Sequence, residues 1–194
     1  MARIGLSKPY FAKYTANQGV VSYSSGGTLG EAVNVNITPD SSDPVKFFAD
    51  NHLKETAQIF VSGTLTLGLD HLSAEVAAAI LGLNVESYPA SGSATGSVVK
   101  HVGNAVAPYV GVGLVVKSQI DGSYEWMGIV LHKVQFKNPG LAQETQGETI
   151  TFTAPSIEGT ILRDDTSDEG WETDGYFTSE AAAEAWVKEL LNIA

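Results

Sequence analysis

The sequence predicts a mainly-β protein, an antiparallel β-sandwich with one short internal helix and one C-terminal helix. Three observations predict it. Between Ala107 and Leu162, runs of alternating residues succeed one another with turn signals between them. A second alternating run covers Gln58 to Leu69. Helical periodicity is confined to a stretch after Ser73 and another after Ser179.

Taken in order, Tyr10–Tyr14 and Val20–Tyr23 read as a first strand pair around Asn17-Gln18-Gly19. In Glu31–Ile37, Val33, Val35 and Ile37 share one face against Asn34 and Asn36, the pattern of a half-buried strand. Residues 38–54 read as a long loop, because Pro39, Asp40, Ser41, Ser42, Asp43 and Pro44 are turn formers. Phe47 and Phe48 fit a free surface poorly, so this segment either folds back or reaches a neighbouring chain. From Gln58 to Leu69, Ile59, Val61, Leu65, Leu67 and Leu69 take one face. Ser73 then caps a helix that ends at Gly82. Ser91–Ser97 is a Gly/Ser-rich loop before a short strand at Ser97–His101.

The central hairpin follows. Val110, Val112, Leu114 and Val116 share a parity opposite to Tyr109, Gly111 and Gly113, and Asp121-Gly122 suits a type I′ turn. In Tyr124–Phe136, Tyr124, Trp126, Val130, Val134 and Phe136 fall on one face and Met127, Ile129 and Leu131 on the other. A strand apolar on both sides is covered twice, centrally in a sandwich or by another subunit. Glu148–Ala154 reads as a further strand, with Ile150 and Phe152 inward. Arg163–Asp174 reads as an acidic, turn-rich loop. In the final helix, Ala183, Trp186, Val187, Leu190 and Leu191 form one docking stripe outside the central sheets. A truncation after Asp174 is therefore expected to spare the sandwich.

Composition narrows the function. Charged residues make up 17% of the chain, against roughly 25% in ordinary soluble proteins. The net charge of −11 is concentrated late: residues 1–137 hold ten acids and nine bases, residues 138–194 twelve acids and two bases. An acidic chain does not grip nucleic acid by neutralising phosphates. No cysteine is present for a disulfide, a thiolate site or a nucleophile. The N-terminus lacks the apolar core of a signal peptide, and no run reaches ~18 apolar residues. No membrane is expected, and assembly in a cytoplasm is.

Motifs for chemistry are sparse. His52, His71, His101 and His132 lie apart, without HxxxH spacing. Asp70-His71 resembles a base and its orienter, but neighbours at a strand end are expected to point apart. No nucleophile elbow, dinucleotide fingerprint or phosphate loop occurs. The acids between Arg163 and Asp174 lack the EF-hand pattern and read as a solvated loop. An enzyme is not expected.

Several stretches together resemble the major tail (tail tube) proteins of long, non-contractile-tailed bacteriophages, particularly those of Gram-positive hosts. These are Ala2–Tyr14, Phe48-Ala49-Asp50-Asn51, Ser62–Gly68, the helix ending Ile80-Leu81-Gly82, and Tyr109…Asp121-Gly122-x-Tyr124 leading to Pro139. The Thr145…Glu158-Gly159 block completes the set. The resemblance implies a β-sandwich over residues 1–162, including the long loop 38–54, followed by an acidic segment with a terminal helix over 163–194.

It also implies hexameric rings that stack into a tube, the conduit for genome ejection, in a virion tail assembled in the host cytoplasm. Its partners would be further copies of the chain and the tape-measure, tail-tip and tail-terminator proteins, with DNA passing the lumen unbound. No catalytic residue, cofactor or metal is implied. Val45, Phe47, Phe48, Asp50 and Asn51 are the candidate inter-subunit contacts. Asp164, Asp165, Asp168, Glu169, Glu172 and Asp174 form a candidate acidic surface, lining the lumen or lying outside the tube. The alternatives are a carbohydrate-binding β-sandwich, with Trp126, Trp171 or Tyr176 as stacking platforms, and the tube protein of a contractile injection system.

Overall fold

The computed structural model describes residues 2–88, 96–140 and 154–194. It is mainly β with antiparallel strands and two helices, in line with the expected sandwich-like class. The strands are β1 (Ala2–Asn17), β2 (Val20–Thr28), β3 (Ala32–Ser41), β4 (Val45–Ala49), β5 (His52–Ala57) and β6 (Phe60–Leu69). After helix α1 (Ala74–Leu81) come β7 (Asn84–Tyr88), β8 (Gly96–Lys100), β9 (Tyr109–Ile120), β10 (Ser123–Phe136), β11 (Ser156–Leu162) and β12 (Glu172–Phe177), then helix α2 (Glu180–Leu190). The expected strand at Glu148–Ala154 and most of the Ser91–Ser97 loop lie outside the described residues.

An eight-stranded sheet runs β2-β1-β9-β10-β11-β6-β3, and it forks at β10. Trp126–Leu131 pair with β12, whereas Lys133–Phe136 pair with β11. β1 and β3 stand far apart in that order and still touch, so the sheet curls over on itself. Leu65, Leu67 and Leu69 of β6 thereby meet Val110, Val112, Leu114 and Val116 of β9 in a first core, which α1 closes with Ala78, Ile80 and Leu81. Ser73 accepts a hydrogen bond from Val76 N at 3.3 Å, and Gly82 (φ 68°) ends the helix in the left-handed region.

A register shift between Leu131 and Val134 corrects the reading of β10. One extra residue flips the alternation, so Val134 and Phe136 join Met127, Ile129 and Leu131 in the first core. The opposite face of β9 and β10 is covered by α2 of the same chain. Ala183, Val187 and Leu191 pack on Tyr10, Ala12, Val115 and Val130 in a second core. Glycine makes this approach feasible: a Cβ at Gly113 would collide with Val187, and one at Gly128 would lie 2.8 Å from the Trp186 ring. The terminal helix therefore completes a core, contrary to the expectation that its loss spares the sandwich.

Several strands exceed or escape the sequence expectation. β1 begins at Ala2 because its register shifts at Arg3/Gly5 and Ser7/Tyr10 break the alternation a strand normally displays. Residues 38–54, expected as a loop, hold the end of β3, all of β4 and the start of β5, with residues 42–44 and the Asp50-Asn51 turn between them. β12 forms from the acidic segment, held by its ladder to β10 despite the turn-forming Asp174-Gly175.

Candidate functional site

The paired strands β3 and β6 do not stop where the body stops. Ser42 N donates to Ile59 O at 2.8 Å and Ile59 N to Ser42 Oγ at 3.2 Å, which carries the ladder across to β4 and β5. Val45 faces Ala57, Phe47 faces Glu55, and after a bulge Phe48 faces Leu53. Asp50 and Asn51 close the hairpin with φ 51° and 61°, the double left-handed conformation of a type I′ turn. The result is an arm rather than a loop. Every residue of β4 and β5 except Ala49 is exposed.

The arm is apolar. Val45 is 71% exposed, Phe47 58% and Phe48 60%. In an extended strand neighbours alternate, so Phe47 and Phe48 point to opposite faces. At the root of the arm the alternation of β6 breaks, because the register shifts by one residue between Ser62 and Phe60. Phe60 packs against the first core that holds Leu65, Leu67 and Leu69, whereas Val61 and Ile59 are 51% and 61% exposed. Of the predicted contact residues, Val45, Phe47 and Phe48 supply surface, and Asp50 and Asn51 supply the turn. Leu53, Ile59 and Val61 belong with them. The expectation that Ile59 and Val61 continue the face of Leu65, Leu67 and Leu69 is overturned by the register shift at Val61, which the hydrophobic pattern does not mark.

The acidic residues do not form one surface. Asp164 is buried: its Oδ2 lies 2.8 Å from His132 Nδ1, and its Oδ1 accepts from Thr166 N at 3.0 Å and Thr166 Oγ1 at 2.6 Å. Burial alone would raise its pKa; the hydrogen bonds from Thr166 and His132 outweigh that and lower it. His132 Nε2 lies 2.7 Å from Thr173 Oγ1. This carboxylate–imidazole–hydroxyl chain has the order of a nucleophile-activating relay. It also ties the 163–170 segment and β12 to β10, beside a small cavity with Tyr23 and Leu190 on its wall. The bulge that flips β10 lies at His132, and His132 appeared in the sequence only as an isolated strand residue.

Asp165 Oδ2 accepts from Tyr14 Oη and Lys133 Nζ, both at 2.6 Å, and its pKa is lowered by those same bonds. Glu169 pairs with Arg163 at 2.6 Å. Asp168 is exposed, with Ser167 Oγ 3.2 Å away. Glu172 and Asp174, two residues apart on β12, share one face of the strand. Glu172 is held up at about 7, first by burial and then by the charge of Asp174 and a hydrogen bond to it, with Arg3 acting in the opposite direction.

Two further expectations meet their geometry here. Asp70 and His71 do not point apart: Nδ1 and Oδ2 are 2.9 Å from each other, at the edge of a cleft of about 540 Å³. The chain bends there, with Asp70 Oδ1 accepting from Glu31 N at 2.7 Å, so the strand-end alternation no longer applies. Asp70 falls to about 2, chiefly through the His71 hydrogen bond. Among the aromatic residues, Trp171 stacks on Phe60 at 4.5 Å, and Trp126 packs at the edge of the second core. Tyr176 is exposed. Among the described residues, no three His, Asp or Glu side chains converge to hold a metal ion, and no helix is long and apolar enough to cross a membrane. The chain matches no known family model, and no curated protein is similar to it in sequence.

Proposed function

We propose that this chain is a structural, non-enzymatic protein that self-assembles, and that its assembly is the tube of a phage tail: stacked hexameric rings around a channel for the genome. One observation carries the reading. A two-stranded arm leaves the body with Val45 and Phe47 exposed on one face and Phe48 and Leu53 on the other, and nothing among the described residues covers them. An isolated ribbon of that kind is at best marginally stable in water, and a neighbouring chain is its natural cover. The near balance of acids and bases in residues 1–137 lets identical copies approach without strong repulsion. The tape-measure, tail-tip and terminator proteins would be its further partners, and the virion tail its location.

Electron microscopy of the purified protein across protein and salt concentrations tests this. Hollow tubes or six-fold rings are expected. A chain that stays monomeric throughout and binds glycan polymers would overturn the reading in favour of a sugar-binding module.

A further inference from the structure

The cover that the arm lacks among the described residues has a counterpart elsewhere on the same chain. Between the N-terminal half of β1 and the start of β3 lies a shallow groove of about 360 Å³, walled by Leu6, Val33, Val35 and Val116. Val33 sits at the register shift between Ala32 and Asn34, which turns it outward and leaves it 56% exposed. Arg3 is the charged side chain on the groove wall.

The arm offers a matching face. Val45 and Ala57 are cross-strand partners, as are Phe47 and Glu55, so these four side chains lie on one side of the ribbon. That side carries three apolar side chains and a single carboxylate, and the groove carries four aliphatic side chains, Asn34 and a single guanidinium. The opposite side carries Lys46, Thr56, Phe48 and Leu53 and has no such match. The ladder carries the arm away from its own groove: Val33 and Phe47 are fourteen residues apart along one continuing ribbon, a reach of up to roughly 45 Å at about 3.3 Å per extended residue.

We infer that the Val45–Phe47 face of the arm docks in the β1–β3 groove of a second copy of this chain, with Glu55 meeting Arg3. This rests on the self-assembly reading above. The contact is head to tail, because donor and acceptor are different surfaces, and it leaves a free arm and a free groove on every pair. It therefore propagates. Arg3 also lies in the field of Glu172. Wherever two copies make this contact, equivalent points on them are separated by the arm-to-groove distance. The rise between them cannot exceed about 50 Å.

The absence of cysteine makes the test clean. Phe47→Cys chains and Val33→Cys chains are mixed in equal amounts, assembled and mildly oxidised. A cross-linked dimer holding one of each chain is expected in the assembled fraction. Tubes without that dimer would overturn the docking and leave self-assembly standing, whereas wild-type protein that never assembles would remove both. Independently, Glu55→Arg and Arg3→Glu should each lower tube yield about tenfold, and the two together should restore it. Equal defects in the single and double variants, or a tube repeat above the stated bound, would also overturn the docking.

Discussion

The outer face of β9 and β10 and the arm of β4 and β5 begin alike, as strand surfaces with apolar side chains that the sheet itself leaves bare. On the first, α2 lies down and buries Val115, Val130 and Tyr10 to 7% exposure or less, with its own Ala183, Val187 and Leu191 fully covered. On the second nothing among the described residues lies down, and two phenylalanines remain more than half exposed. The difference is not in the strands. It is in what the facing positions carry: Gly111, Gly113 and Gly128 flatten the first surface so that a helix reaches the backbone, while the arm has no glycine between Val45 and Ala57. A surface with helix-sized recesses is prepared for a partner of its own chain, and a ribbon with projecting rings is prepared to enter a partner's recess.

Removing α2 from the face it covers should cost the subunit most. A chain ending at Asp174 loses α2 and the Tyr176–Phe177 end of β12, exposing the second core. It also loses the bond from Tyr10 Oη to Glu184 at 2.6 Å and that from Ser7 Oγ to Glu180 at 3.1 Å. We expect a loss of about 5 kcal/mol or more, comparable with the whole stability of a domain. Thermal unfolding followed by circular dichroism should show no cooperative transition. A truncated chain melting within a few degrees of the full one would show that α2 is an accessory.

How much of this was legible depended on whether a local signal decided the outcome. The turns were legible, because Asp121-Gly122 and Gln18-Gly19 need positive φ and adopt it. Both helices were legible from their serine caps and stripes. The arm was not, since Pro39 to Pro44 favours a loop on composition, and only the ladders of β3 with β6 and of β4 with β5 make the flanking residues strand. β12 was hidden in the same way. The face swap in β10 was hidden because a bulge leaves no mark in a pattern of hydrophobic residues. The acidic residues looked equivalent in sequence, and their partners Tyr14, His132 and Lys133 are thirty or more positions away.

A smaller effect sharpens the comparison from within the covered region. Glu172 is an acid on a strand that the second core needs. Its folded-state pKa of about 7 lies above its ordinary 4.5, so folding favours the protonated form. Stability should be greatest below about pH 4.5 as far as this group is concerned, and should fall as pH rises through 7. Glu172→Gln removes that fall. With the side chain half exposed, a stabilisation of about 1 kcal/mol at pH 8 and almost none at pH 5 is expected from urea unfolding. A variant equally stable relative to wild type at both pH values would mean that the carboxyl is freely solvated.

The smallest effect on the subunit should come from the arm, and there the contrast between the two regions is sharpest. Phe47→Ser with Phe48→Ser removes two large apolar side chains that touch little of their own fold. The melting of the subunit should therefore change by no more than about 0.5 kcal/mol. If anything, solubility should improve, because the exposed apolar area falls. The same variant should fail to assemble under conditions where the parent forms tubes, as sedimentation velocity would read. Two outcomes carry opposite lessons. A destabilised subunit would mean that the rings lie on their own body in solution, making the arm a second covered face. A stable subunit that still builds tubes would mean that the apolar row at Ile59 and Val61, nearer the root, holds the neighbours together, and the arm tip does not.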